Sequence, residues 1–201
     1  MGLVKRQKAP AYGHWIAAGS LAIVSTALEF GGDAVRNLLA WDRGALADGE
    51  LWRLVTGHLV HLGWSHLGLN VAGLALTSWL VGAAYGCARW LVIALASIAA
   101  IDAGFWFLDT RLEWYVGLSG LLHGLLVGGL FAGLRERDRE AIVLFAIVVA
   151  KLAWEQVAGP LPGSAATAGG AVIVDAHLYG AAGGLLAAAL LKRRVLPTAP
   201  I

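Results

Sequence analysis

Ser119 lies in the stretch Gly117-Leu118-Ser119-Gly120-Leu121-Leu122-His123-Gly124, a small hydroxyl between two glycines at the start of an apolar run. A serine hydroxyl attacks a carbonyl only when a base takes its proton and donors wait where the oxyanion forms. Both are present elsewhere in the chain. Ala176-His177-Leu178-Tyr179-Gly180 places an imidazole at the start of the last apolar run, and His66-Leu67-Gly68-Leu69-Asn70 opens an earlier one. His66 and Asn70 are four residues apart, so on a helix they share a face, and both side chains donate hydrogen bonds. Backbone N–H groups at the start of the helix that begins near Ser119 are unpaired and can join them. Ser119 and His177 thus form a candidate nucleophile and base, with His66 and Asn70 as oxyanion donors. Asp175 is a poor third member, because on a helix it lies about 200° around from His177. A Ser–His dyad is expected.

The elements that must position these groups belong in a membrane. Of 201 residues, 59% are hydrophobic and 14% charged, and the mean hydropathy is +0.72. A soluble domain is nearer half apolar and a quarter charged. Six apolar stretches, 12–30, 65–84, 89–108, 118–134, 141–158 and 173–191, approach the length of about 20 residues that a spanning helix needs. No stretch shows the alternation of a membrane barrel. The fold class expected is therefore all-α, a polytopic bundle of six transmembrane helices in a single domain over residues 1–201. A net charge of +2 in short scattered clusters does not point to nucleic acid. One cysteine, Cys87, makes no internal disulfide, and neither a metal nor another cofactor is called for.

Basic residues set the orientation. Lys5, Arg6, Lys8, Arg89, Arg135, Arg137, Arg139 and the run Lys192-Arg193-Arg194 fall on one side, and Arg36, Arg43, Arg53 and Arg111 on the other. The richer side is cytoplasmic. Residues 1–11 and 192–201 are then cytoplasmic tails, and 31–63, with Val35, Leu38, Leu39 and Trp41 among charges, is an extracytoplasmic loop lying on the membrane surface. The fourth stretch, about 17 residues long, covers roughly 25 Å of a core about 30 Å thick. Ser119 would start below the outer surface, at the floor of a water-filled hollow.

Gly120, Gly124 and Gly128 repeat every four residues, as do Gly180 and Gly184. Such faces let helix backbones approach closely. Packing the fourth and sixth stretches through them brings Ser119 and His177 to the same end. Residues 159–171, rich in Gly, Pro and Ala, form a candidate lid before His177. Lys151 and Glu155, one turn apart within the fifth stretch, read as a neutralising contact, with Asp102 as a further partner.

In order and spacing, Trp52-Arg53, the set His61, His66 and Asn70, the run Gly117-Leu118-Ser119-Gly120, and Ala176-His177 with Gly180 and Gly184 resemble the rhomboid intramembrane serine proteases. The resemblance implies Ser119 as nucleophile, His177 as general base, His66 and Asn70 at the oxyanion, Gly117 and Gly120 around the serine, and a contact through Gly180 and Gly184. Many rhomboids carry a tyrosine four residues after the serine. His123 stands there instead, and this variant resembles the bacterial rhombosortase subgroup, associated with substrates ending in Gly-Gly, a hydrophobic helix and a basic tail. His123, about 40° around from Ser119, is expected to pack against or bond to His177.

The resemblance further implies a multi-pass protein of the bacterial inner membrane, its site opening to the periplasm, among membrane lipids and with transmembrane protein substrates bearing a C-terminal sorting tail. Three other readings stand beside this one: transfer of the acyl group to an amine, a non-catalytic binder of membrane helices, and a metal or ion site built on His58, His61, His66, His123 and His177.

Overall fold

The computed structural model describes residues 12–191; both expected tails, 1–11 and 192–201, lie outside the described residues. Helix α1 (Gly13–Glu29) is followed after a 116° bend by α2 (Gly32–Leu39). Gly32 makes that bend at φ +57°. Strand β1 (Trp41–Asp42) leads into α3 (Arg43–Ala47), whose N-terminus is capped by the Asp42 carboxylate accepting from Ala45 N–H at 2.9 Å. Then come α4 (Arg53–Thr56), α5 (Trp64–Val81), a 3-10 turn (Gly82–Ala84), α6 (Cys87–Phe107) and β2 (Trp114–Tyr115), which pairs antiparallel with β1. The remainder is helical: α7 (Ser119–Arg135), α8 (Arg139–Ala158), α9 (Ser164–Ala168) and α10 (Val174–Leu190). Asp138 caps α8 by accepting from Glu140 N–H at 2.9 Å.

Each of the six apolar stretches folds as a helix. Among the described residues, α5 with its 3-10 extension, α6 and α8 are long and apolar enough to cross a membrane, α1 with α2 passes as a bent pair, and α7 and α10 are shorter apolar helices. Ile16, Ile23, Trp79, Leu95, Ile147 and Trp154 are exposed. An apolar girdle of that kind belongs in lipid, and the chain is a multi-pass membrane protein.

Residues 31–63 fold as short helices and a strand, with Leu38, Leu51, Trp52 and Val55 exposed. Two arginines staple this segment. Arg53 is buried, pairs with Glu50 at 2.6 Å and donates to Asn37 O and Ala40 O. Arg43 donates to Leu112 O, Phe105 O and Asp109 O, which ties the segment to the end of α6.

The centre of the bundle is α7, buried at Gly120, Leu121, Gly124, Gly128 and Leu130 among others. It packs on α10 backbone to backbone. A methyl group placed on Gly180 would overlap the Gly120 carbonyl, and one on Gly184 would overlap the Gly124 backbone. At the far end Arg135 donates to Leu191 O at 2.9 Å and Ala189 O at 2.6 Å, satisfying carbonyls that the end of α10 leaves open. The two helices are thus held together along their whole length.

This packing carries a stability prediction. Gly184→Val should lower the midpoint of thermal unfolding in detergent, with a loss of about 1–3 kcal/mol or more from overpacking. Gly19→Val, at a position on α1 with open space around it, should leave the midpoint unchanged.

Candidate active site

The loop before α7 fixes where the serine stands. Gly117 has φ +129°, a conformation that L side chains rarely adopt, and a Cβ there would meet the His66 ring at 2.8 Å. The loop is held from two sides: Tyr115 Oη donates to Gly117 O at 2.6 Å, and Gly117 N–H donates to Gly57 O at 3.0 Å. Ser119 follows as the first residue of α7. The N-cap, Leu118, has no capping side chain, so the first N–H groups of the helix have no intrahelical acceptor and the positive end of its dipole points at the serine.

His177 sits in the first turn of α10 and is buried. Because the glycine faces of α7 and α10 touch, this turn is level with Ser119, and Ser119 Oγ lies 2.9 Å from His177 Nε2. His66 and Asn70 project from the first turns of α5 into the same space. With Ser119, His123, His177 and Ser164 they line a cavity of about 300 Å³. Ser164 and Ala168 belong to α9, so the segment expected as a mobile lid contains a helical turn lying over this cavity.

The partners of His66 and Asn70 fix where their hydrogens lie. His66 Nδ1 accepts from Leu62 N–H at 3.3 Å, which places its proton on Nε2, the nitrogen nearer Gly117. Asn70 Nδ2 uses one hydrogen on His66 O at 3.1 Å and keeps the other. His61 is fully buried and packs edge-on against His66 at 5.1 Å. Burial, together with the neighbouring His66, lowers its pKa to about 3, so it is a neutral brace.

His123 stacks on His177 with ring centroids 4.2 Å apart and 22° between planes. Its Nδ1 lies 2.7 Å from Ser119 O, the backbone carbonyl and not the hydroxyl. One contact goes beyond the expected Ser–His pair, and one expectation needs correction. Glu155 Oε2 on α8 lies 3.0 Å from His177 Nδ1. Glu155 does pair with Lys151, at 2.7 Å, but Asp102 does not join them. It faces the 31–63 segment instead, 3.4 Å from His58. The signal for Glu155 was available in the sequence: an acid inside a membrane span asks for a function. What the sequence lacks is the rotation of α8 about its axis.

His123, Glu155 and His177 offer ligand atoms within 4.8 Å of one another, a spacing that fits a metal ion. Lys151 Nζ stands among them, 2.7 Å from His123 Nε2, 2.7 Å from Glu155 Oε2 and 3.2 Å from His177 Nδ1. The Lys151 amine already fills that space, and a metal would have to displace it.

A partly buried serine bonded to an imidazole at the head of a helix, with donors converging on one cavity, is the constellation of a serine hydrolase set inside an apolar bundle. The rhomboid domain matches residues 48–194, and the chain belongs to the rhomboid family. It is similar to the rhomboid protease GluP of Bacillus subtilis (strain 168), 36% identical over 103 residues, which are 49% of this chain and 19% of that protein. It is also similar to the putative rhomboid protease YdcA of the same organism, 27% identical over 141 residues, 70% of this chain and 67% of that one. The match thus spans about a fifth of the first relative and two thirds of the second.

Gly117→Ala tests the loop. The substitution costs about 1–3 kcal/mol in backbone strain and pushes on His66. Labelling of Ser119 by a fluorophosphonate should slow roughly tenfold or more while the helical circular dichroism is kept. Unchanged labelling would show that the loop's position does not matter to the serine.

Proposed function

We propose that this chain is an intramembrane serine endopeptidase. The observation that carries the reading is the 2.9 Å approach of Ser119 Oγ to His177 Nε2 inside a cavity of the bundle. Ser119 Oγ attacks the scissile carbonyl as its proton passes to His177 Nε2. The oxyanion is met by His66 Nε2–H, the free Asn70 N–H and the open backbone N–H groups at the head of α7. The C–N bond breaks, His177 returns the proton to the leaving amine, and water then resolves the ester by the same route in reverse.

The placement proposed is six crossings, by α1, α5, α6, α7, α8 and α10, in a bacterial inner membrane. Both termini are cytoplasmic and the cavity opens to the periplasm. The bias of Lys and Arg supports this orientation, and the surface layer of α2 to α4 fits the outer face. The whole chain, 1–201, is one membrane domain in this reading, surrounded by lipids.

The substrates proposed are transmembrane proteins with a C-terminal sorting tail of Gly-Gly, apolar helix and basic end. Support comes from the resemblance of the stretch around Ser119, with His123, to the rhombosortase subgroup. The chemistry agrees with it. A helical amide is shielded by its own hydrogen bonds, and each glycine weakens a helix by about 1 kcal/mol, so a Gly-Gly step is where a substrate helix opens most readily. Hydrolysis is the reading preferred; transfer to an amine would give the same acyl-enzyme a different acceptor.

Ser119→Ala and His177→Ala should each abolish cleavage of a Gly-Gly-tailed substrate in liposomes, and full activity in either would reject the role of that residue. His66→Ala and Asn70→Ala should each lower kcat on the order of 10- to 10³-fold, with smaller changes in KM. Mass spectrometry of the processed substrate reads the acceptor: a free carboxylate means hydrolysis, and an added amine means transfer.

A further inference from the structure

The groups behind His177 form a closed ring of polar contacts. Ser119 Oγ meets His177 Nε2 at 2.9 Å, and His177 Nδ1 meets Glu155 Oε2 at 3.0 Å. Lys151 Nζ meets the same Glu155 oxygen at 2.7 Å and His123 Nε2 at 2.7 Å. His123 Nδ1 returns to Ser119 O at 2.7 Å. The ring draws on α7, α8 and α10.

With Glu155 ionised and Lys151 protonated, one arrangement of protons satisfies every edge. An ionised carboxylate only accepts, so His177 Nδ1 carries a hydrogen and His177 Nε2 keeps its lone pair for the serine hydroxyl. A backbone carbonyl only accepts, so His123 Nδ1 carries a hydrogen and His123 Nε2 keeps a lone pair. An ammonium only donates, so Lys151 gives hydrogens to Glu155 and to His123. The 3.2 Å approach of Lys151 Nζ to His177 Nδ1 is then two donors converging on one carboxylate oxygen.

We infer that Glu155 and Lys151 are a positioning pair for the reaction proposed above, on which this inference rests. Glu155 fixes the tautomer and the ring orientation of His177 and stabilises the imidazolium formed when Ser119 gives up its proton. Lys151 balances Glu155 at rest, so that no net charge is left beneath the membrane surface. It also occupies the one free lone pair of His123. That decides between the two histidines: His123 has neither a lone pair nor a position for the hydroxyl, and His177 has both.

Three measurements test the pair. In full-length protein with 15N-labelled histidine in liposomes, solid-state NMR should show His177, assigned by its loss in His177→Ala, with the hydrogen on Nδ1. A resting Nε2–H tautomer would overturn the inference even if cleavage proceeds.

Glu155→Gln should lower kcat on the order of 10²-fold or more with KM within about twofold, and Glu155→Asp should recover part of the loss. Because Glu155→Gln strands Lys151, the charge-neutral double variant Lys151→Met/Glu155→Gln is the second arm. It should fold and remain slow, whereas wild-type kcat in it would reduce the pair to charge balance and overturn the positioning role. Metal analysis of the wild type adds a third outcome, since stoichiometric zinc on His123 and His177 would also overturn it. Failure of the endopeptidase reading looks different: wild type would neither cleave nor take up a fluorophosphonate, while the NMR result would stand by itself.

Discussion

The contact on which the molecule depends is the meeting of two helix backbones. Between α7 and α10 there are no side chains to act as spacers: Gly120 faces Gly180 and Gly124 faces Gly184, with carbonyls against the places where Cβ atoms would be. In lipid, helices gain little from burying apolar surface against one another, so close packing has to supply the association. The same contact has a chemical result. A serine at the head of one helix and a histidine in the first turn of the other can share a hydrogen bond only if the axes are very close and the register is fixed. Arg135, at the opposite end, closes on the last carbonyls of α10 and prevents the pair from splaying.

What could be read from the chain beforehand follows from how the information is stored. Ser119, His177, His66 and Asn70 lie near helix starts with helical spacing, so their depth and face come from counting. The glycine repeats show which helices touch. The contact of Glu155 with His177 was hidden because α8 is apolar on nearly every side, and nothing in its composition states which side faces α10. Asp102 was misassigned for the same reason: being inside a span gives depth but not direction, and its direction is toward His58. The α9 turn was hidden by composition, because Gly163 and Gly169, both with positive φ, bound a helical run of only five residues.

The electrostatics of the site answer a problem set by the solvent. A carboxylate that orients an imidazole in water needs no further help. Below a membrane surface it needs a counter-charge, and a counter-charge brought close to the imidazole would compete for the same lone pair. The ring avoids that competition by geometry. Lys151 and His177 both address one oxygen of Glu155, and the remaining valence of Lys151 is turned away from His177 onto His123. His123 is therefore not a spare base but the end of the lysine's hydrogen-bonding set, and by stacking on His177 it also shields that ring's face.

Helix α8 has two kinds of attachment along its length. As far as Leu152 it packs by apolar contact, with Ala141, Leu144, Phe145, Val148 and Leu152 set against Leu130, Val127 and Ala181. Its last turns have little of this; Val157 is almost wholly exposed. There the attachment is polar, through Lys151 and Glu155. Holding α8 against the bundle at the level of the cavity and orienting His177 are thus one interaction seen from two helices. A carboxylate on a loosely packed helix can orient a catalytic ring only while that helix is docked, and the bonds made by docking are the bonds that do the orienting.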